Sequence, residues 1–347
     1  MNFSSSRHGV ELHLHLDGGF RPATLFAFAQ KKSIRLCASN TYDFEKSLTV
    51  QQPNSLADFL SKFSVINSPA QGDAEALSQL TLDFLEDCAN RGGLCYVEAR
   101  FSPHLLAGAC LTPEETVKTV LSAVEIGKKR FDIQAQIILC MMRHRPEWSS
   151  EVVQLAKSYQ PFGVCAIDVA GDDKPCDGKN TAKEIKMAFD EAFKCGIHRV
   201  AHAGENGVAA SVTEALSEMH AERIGHGYHI LDDPIVYKTV REENVHFELC
   251  PLSSRLTGSV PIDWNQHPIH NFIRDDVNFS INTDDPTVTG QWQLEEQLMC
   301  MRELGMTAHQ LVKANFRAAQ ASFLQDDDKE QLMRHLMTGA GIITIRG

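Results

Sequence analysis

The sequence predicts a (β/α)8 barrel, an α/β TIM barrel with a helical insertion after the first strand, and three observations carry that prediction. Eight short runs rich in Val, Ile, Leu and Phe recur along 347 residues. Most are separated by amphipathic segments of helical period, the alternation that argues for parallel strands. No glycine-rich phosphate loop follows the first run, as a doubly wound sheet would normally show. The residues of unusual chemistry fall at the C-terminal ends of the runs, where such barrels keep their active sites.

VELHLHL (10–16) is the first predicted strand. Residues 20–93, too many for one crossover, read as about three helices forming a lid-like insertion. Within it SLADFLSKF sets Leu56, Phe59, Leu60 and Phe63 at i, i+3, i+4 and i+7. That apolar face packs either on the barrel wall or over the barrel mouth. LCYVEARFS (94–102) is the second strand, PEETVKTVLSAVEIGKKRF (113–131) a helix, and IQAQIILCMM (133–142) and FGVCAIDVAG (162–171) are the next strands. TAKEIKMAFDEAFKCG (181–196) is a helix stopped at Gly196. HRVAHAGE (198–205), ERIGHGY (222–228), VHFELCP (245–251) and NFSINTDDP (278–286) complete the eight. In the tail GAGIITIRG (339–347) two glycines are expected to break the last helix and leave a short β-prone segment. With no linker, repeat or low-complexity block, residues 1–347 read as one domain.

Composition is that of a globular chain, 43% hydrophobic and 22% charged, with a net charge of -12 and no basic stripe. Nucleic acid and anionic membranes are therefore poor partners. Ten cysteines stand singly, several inside apolar runs, which suits buried free thiols better than a disulfide framework. MNFSSSRHG lacks the apolar core of a signal peptide, and no stretch is long enough to span a bilayer, so a cytoplasmic protein is expected.

His13 and His15 lie two apart on the first strand and so share one face, just before Asp17-Gly18-Gly19. Alone, such a pair is commonly structural. His202 closes the fifth strand with Glu205 three residues on, His226 sits between two glycines in the sixth, and Asp284 and Asp285 end the eighth. A lone strand-end histidine is usually satisfied by hydrogen bonds, and Asp-Asp-Pro is an ordinary turn. Their coincidence at equivalent strand ends points instead to a metal centre. Three imidazoles and a carboxylate, His13, His15, His202 and Asp284, supply the donors zinc takes, with water completing the sphere. Zinc brings the pKa of bound water down to about 7. Glu205 is then a candidate proton donor, given surroundings that raise its pKa, and His226 a group to orient or deprotonate the water.

From Val10 to Leu324 the chain resembles the adenosine deaminase family, the adenosine/AMP deaminase group of metal-dependent hydrolases. VELHLHLDG, SLADFLSKF, YVEARFSPHLL, ILCMMRH, DVAGDD, GIHRVAHAGE, ERIGHGYH, FELCPLSS and SINTDDP carry the likeness in order. The resemblance implies one Zn2+ per chain on His13, His15, His202 and Asp284. It also implies a small purine nucleoside as substrate, with adenosine and 2′-deoxyadenosine deaminated to their inosine counterparts plus ammonia in purine salvage. Glu205 would protonate purine N1 while activated water attacks C6, His226 holding that water and Asp284 helping to position it. Asp285 would face N7, the Gly171 N–H would face N3, and Asp17 with His15 would lie near the ribose 5′-hydroxyl.

Relatives acting on free adenine tend to carry HLEG, and those acting on N6-methylated AMP HLNG, where this chain has HLDG. An anionic Asp17 suits a neutral hydroxyl and repels a 5′-phosphate. The departures, Leu252 where animal relatives often carry tryptophan and Gly19 where alanine or serine is common, touch no expected ligand. The alternatives are a deaminase of adenine or a modified nucleoside, a binuclear amidohydrolase, and a catalytically inactive purine-binding barrel. A bridging lysine in the fourth strand, which binuclear sites commonly need, is missing from FGVCAIDVAG. Oligomeric state stays open, a monomer being compatible.

Overall fold

The computed structural model describes residue 3, residues 6–174 and residues 181–346. The strands are β1 (Gly9–His15), β2 (Leu94–Phe101), β3 (Gln134–Met142), β4 (Val164–Ala170), β5 (His198–Ala203), β6 (Arg223–His226), β7 (His246–Leu249) and β8 (Phe279–Ile281). They follow one another around one sheet, each parallel to the next, as the alternation predicts.

The seam between β8 and β1 closes differently. The His15 N–H donates to the Asp284 carbonyl at 2.9 Å and the Asp284 N–H to the His13 carbonyl at 3.1 Å. Lower down, Asn282 Oδ1 accepts from the N–H groups of Leu12 and His13 at 3.0 and 3.2 Å, a side chain standing in for a strand carbonyl. Its amide donates to the Leu249 and Ser280 carbonyls, both at 3.3 Å. Asn282 is fully buried, so an alanine there would leave two interior donors without partners. Asn282→Ala is expected to cost about 1–3 kcal/mol for each orphaned group, read as a fall in the denaturant midpoint at unchanged slope.

Helix Pro113–Phe131 begins in a capping box, in which Thr112 Oγ1 accepts from the Glu115 N–H and the Glu115 carboxylate from the Thr112 N–H. Helix Lys183–Lys194 stops before Gly196, whose φ is +69°. The insertion holds five helices rather than about three: Pro22–Lys31, Thr41–Leu48, Leu56–Ser61, Phe63–Asn67 and Ala74–Asn90. Asn40, Ser55 and Asp73 each accept an N–H of the first helical turn, so each starts a separate helix.

The C-terminal tail departs from expectation, because helix Asp326–Arg346 continues through both glycines. Gly339 is buried with its Cα against the His8 ring, where a Cβ would collide. Leu332 and Leu336 are packed against Val10, Leu12 and Tyr96. Glycine lowers helix propensity by about 1 kcal/mol, and burial of two leucines at about 1.5–3 kcal/mol each outweighs that.

Phe323 plugs the N-terminal end of the barrel against Ile138, Ala166 and Val200, with the Arg223 guanidinium 3.8 Å from its ring centroid. Cys88, Cys95, Cys140, Cys165, Cys250 and Cys300 are buried free thiols, as expected, whereas Cys37, Cys110 and Cys195 are exposed. Cys176 lies outside the described residues. No helix among the described residues is long and apolar enough to cross a membrane.

Candidate active site

β1, β5, β6 and the segment after β8 bring His13, His15, His202, His226 and Asp284 to one point at the C-terminal end of the barrel. His15 Nε2 lies 3.2 Å from His202 Nε2 and 3.4 Å from Asp284 Oδ1, and His13 Nε2 lies 3.3 Å from the same oxygen. His226 Nε2 stands slightly apart, 3.8 Å from Asp284 Oδ2 and 3.6 Å from Glu205 Oε2. His13, His202, His226 and Asp284 form a buried group whose donor atoms all lie within 4.8 Å of one another, and His15 joins Asp284 and Asp285 in a second. His226 thus stands in the first of these groups, where the sequence reading has His15 as a metal ligand. Both His226 and Asp284 hold left-handed backbone, with φ of +63° and +65°, a strained conformation for non-glycine residues that the surrounding fold must impose.

A metal ion fits these residues. His13 Nε2 is buried with no hydrogen-bond partner. The opposite nitrogen of its ring is held by Glu248 Oε2 at 2.8 Å, and that of His202 by Asp168 at 3.0 Å, so both rings are oriented with Nε2 inward. A tetrahedral zinc site with bonds of about 2.0–2.1 Å has ligand-to-ligand edges of about 3.3–3.4 Å. Three contacts in this set, His15–His202, His15–Asp284 and His13–Asp284, match that edge. Burial keeps the His15, His202 and His226 rings below the usual histidine range, so they present lone pairs rather than charge. Against the cost of burial, the neighbouring histidines hold Asp284 ionised, and Ser253 Oγ donates to its second oxygen at 2.7 Å.

Above the cluster opens a cavity of about 750 Å³, within the range of small-molecule sites. Glu205, Asp285, Asp17 and Gly171 line it, together with His15, His202, His226 and Asp284; His13 lies beneath. Burial and the Asp284 and Asp173 carboxylates push Glu205 well above the usual carboxylate range, which favours its protonated form. Burial with Asp284 and Asp17 does the same to Asp285, whose buried Oδ1 has no partner. Burial pushes Asp17 up to about 6, leaving it largely ionised at pH 7, with Asn67 Nδ2 donating to it at 3.2 Å. Gly171 has φ of +98°, a conformation that glycine adopts freely. The apolar stripe Leu56, Phe59, Leu60 and Phe63 lines the same cavity. Among the described lining residues Arg143 is the one guanidinium or ammonium group, and it is committed to the His202 carbonyl and Thr181.

Sequence reasoning missed the charged layer under the site. Arg100 donates to Asp168 Oδ2 at 3.0 Å and to Glu248 Oε2 at 2.6 Å, while Arg223 reaches Glu98 at 2.6 Å and Glu248 Oε1 at 2.8 Å. All five side chains are buried. The signal was available, since Glu98 and Arg100 sit two apart inside an apolar run, as His13 and His15 do, and so share one face of their strand. Ser253, inside CPLSS, carried no comparable signal.

The family profile described as "Adenosine deaminase" matches residues 9–338. An adenosine deaminase of Xenopus tropicalis is 41% identical over 351 residues, covering 97% of this chain and 97% of the relative. Among solved structures, an adenine deaminase from Arthrobacter aurescens superposes with a TM-score of 0.86 at 23% identity, covering 96% of this chain and 99% of that one. An amidohydrolase from Burkholderia ambifaria with bound zinc gives a TM-score of 0.86 at 20% identity, covering 99% and 93%.

Proposed function

Because the chain belongs to the adenosine deaminase family, we propose that it hydrolyses adenosine and 2′-deoxyadenosine to inosine and 2′-deoxyinosine, releasing ammonia. His13, His15, His202 and Asp284 would hold one Zn2+. When bound, the ion supplies Lewis acidity that makes water nucleophilic near neutral pH. The reading is carried by one juxtaposition: His13, His15, His202 and Asp284, joined by contacts of 3.2–3.4 Å, stand beside Glu205 and Asp285, whose carboxyl groups are pushed above the usual carboxylate range in the same cavity.

Each residue then has a task that its environment supports. Protonated Glu205 donates to purine N1, so that electron density from the attack at C6 has somewhere to go. Neutral His226, with Nε2 between Glu205 and Asp284, accepts the proton of the attacking water. Asp285, also protonated, donates to the N7 lone pair, and the Gly171 N–H to N3. Ionised Asp17 accepts from the ribose 5′-hydroxyl. A 5′-phosphate would meet that carboxylate with no uncommitted guanidinium or ammonium among the described cavity residues, so AMP is disfavoured. The lining helices Leu56–Ser61 and Phe63–Asn67 are assigned as the lid that excludes water. Such a small-molecule enzyme needs no nucleic acid or membrane partner, and a cytoplasmic monomer suffices.

The test is a deamination assay with metal analysis on purified protein. Adenosine and 2′-deoxyadenosine are expected to be turned over far faster than adenine or AMP, with about one zinc per chain. A strong chelator should abolish turnover and added zinc restore it. Preference for adenine, or two tightly held ions per chain, overturns the proposal.

A further inference from the structure

The loop carrying Glu205 is wrapped around a carboxylate from a different strand. Asp173 follows β4 two residues after Gly171. Its Oδ2 accepts from the Gly204 N–H at 2.6 Å, and its Oδ1 from the N–H groups of Asn206 and Gly207 at 2.9 and 2.7 Å. Ser211 Oγ adds a longer contact at 3.4 Å. Neighbouring Asp172 accepts from Asn206 Nδ2 at 3.0 Å. Glu205 therefore sits inside an arc of backbone donors that all point to one buried anion. A Cβ on Gly207 would lie 2.6 Å from Asp173 Oδ2, so glycine there is what lets the loop close so tightly.

We propose that Asp173 is a positioning residue that sets the spacing between Glu205 and the Gly171 N–H, the groups meeting N1 and N3 of the substrate ring. The inference rests on the function proposed above. Only Asp172 separates Gly171 from Asp173 along the chain, and the loop on Asp173 carries Glu205, so one carboxylate couples both contacts. An ionised carboxylate suits this task because it is acceptor-only and receives converging N–H groups at either oxygen. An asparagine of the same shape would turn an NH2 toward a backbone donor and release part of the arc. A misplacement of about 1 Å at a reacting group can cost as much as 100-fold in rate.

The experiment compares wild type, Asp173→Asn and Gly207→Ala, which pushes the loop off the carboxylate while keeping its charge. For each, kcat and KM for adenosine are measured with zinc content and unfolding temperature. Competitive inhibition constants for purine riboside and its 3-deaza analogue, which lacks the N3 acceptor, give the discrimination at N3. Both variants are expected to keep zinc, to lose about 10- to 100-fold in kcat, and to bind the two inhibitors with a ratio close to one, where wild type strongly prefers the purine. A role limited to fold stability would lower the unfolding temperature and leave the ratio as in wild type. Wild type active on adenosine, with both variants retaining its kcat and ratio, overturns this inference alone. Wild type inactive on adenosine overturns the proposed function and this inference with it.

Discussion

Glu205→Gln is expected to lower adenosine turnover by roughly 10²- to 10⁴-fold while zinc content and unfolding temperature stay at wild-type values. The substitution keeps size and polarity and removes only the transferable proton. Burial and the nearby Asp284 and Asp173 carboxylates push Glu205 well above the usual carboxylate range, which favours the protonated acid. An amide cannot pass a proton to a ring nitrogen. The loss should therefore fall on kcat, with KM and the affinity for the inosine product nearly unchanged, because the amide still fills the space and still donates a hydrogen bond. Equal turnover by the variant would remove Glu205 from the chemistry. A loss confined to KM would make it a binding group only.

The contrast between what could be read in the chain and what could not has a physical basis. Strand periodicity and the capping signals are local, which is why the eight strands and the helix Pro113–Phe131 appear where short windows of sequence place them. The convergence of histidines and a carboxylate at the strand ends was readable because histidine is rare in an apolar strand and needs a reason for being there. The helix count in residues 20–93 was not, since three short capping motifs there lie close together and only packing decides which of them interrupts a helix. The tail misled for the same reason, because propensity at Gly339 gave way to a contact with His8, more than three hundred residues away. The ionic layer escaped notice for a subtler reason. Glu98 and Arg100 share a strand face, but their partners Asp168, Arg223 and Glu248 look like isolated charges until the barrel closes and places them on one another.

That layer predicts the largest stability effect. Arg100→Leu is expected to destabilise the protein by about 3–5 kcal/mol, the range for removing one partner of a buried ion pair, and to weaken zinc binding by about 10- to 100-fold. Arg100 is fully buried, and its guanidinium spans the two carboxylates that orient the metal-facing histidines, Asp168 behind His202 and Glu248 behind His13. Burial alone would drive both acids toward their protonated forms. His202 and Arg100 hold Asp168 well below the usual carboxylate range, and Arg100 and Arg223 do so for Glu248. Without Arg100 the cheapest relief is for a carboxylate to take up a proton, which weakens its hold on the histidine ring in front of it. Structure and cofactor affinity should therefore fail together, and raised zinc should recover part of the lost unfolding temperature by mass action. Arg100→Lys should fall short of wild type as well, because one ammonium cannot reproduce the planar fork that meets both acids. Denaturant unfolding of the metal-free chain separates the two effects. If metal-free Arg100→Leu were as stable as the metal-free wild type, the ion pairs would be serving the histidines alone, and the barrel would not depend on them.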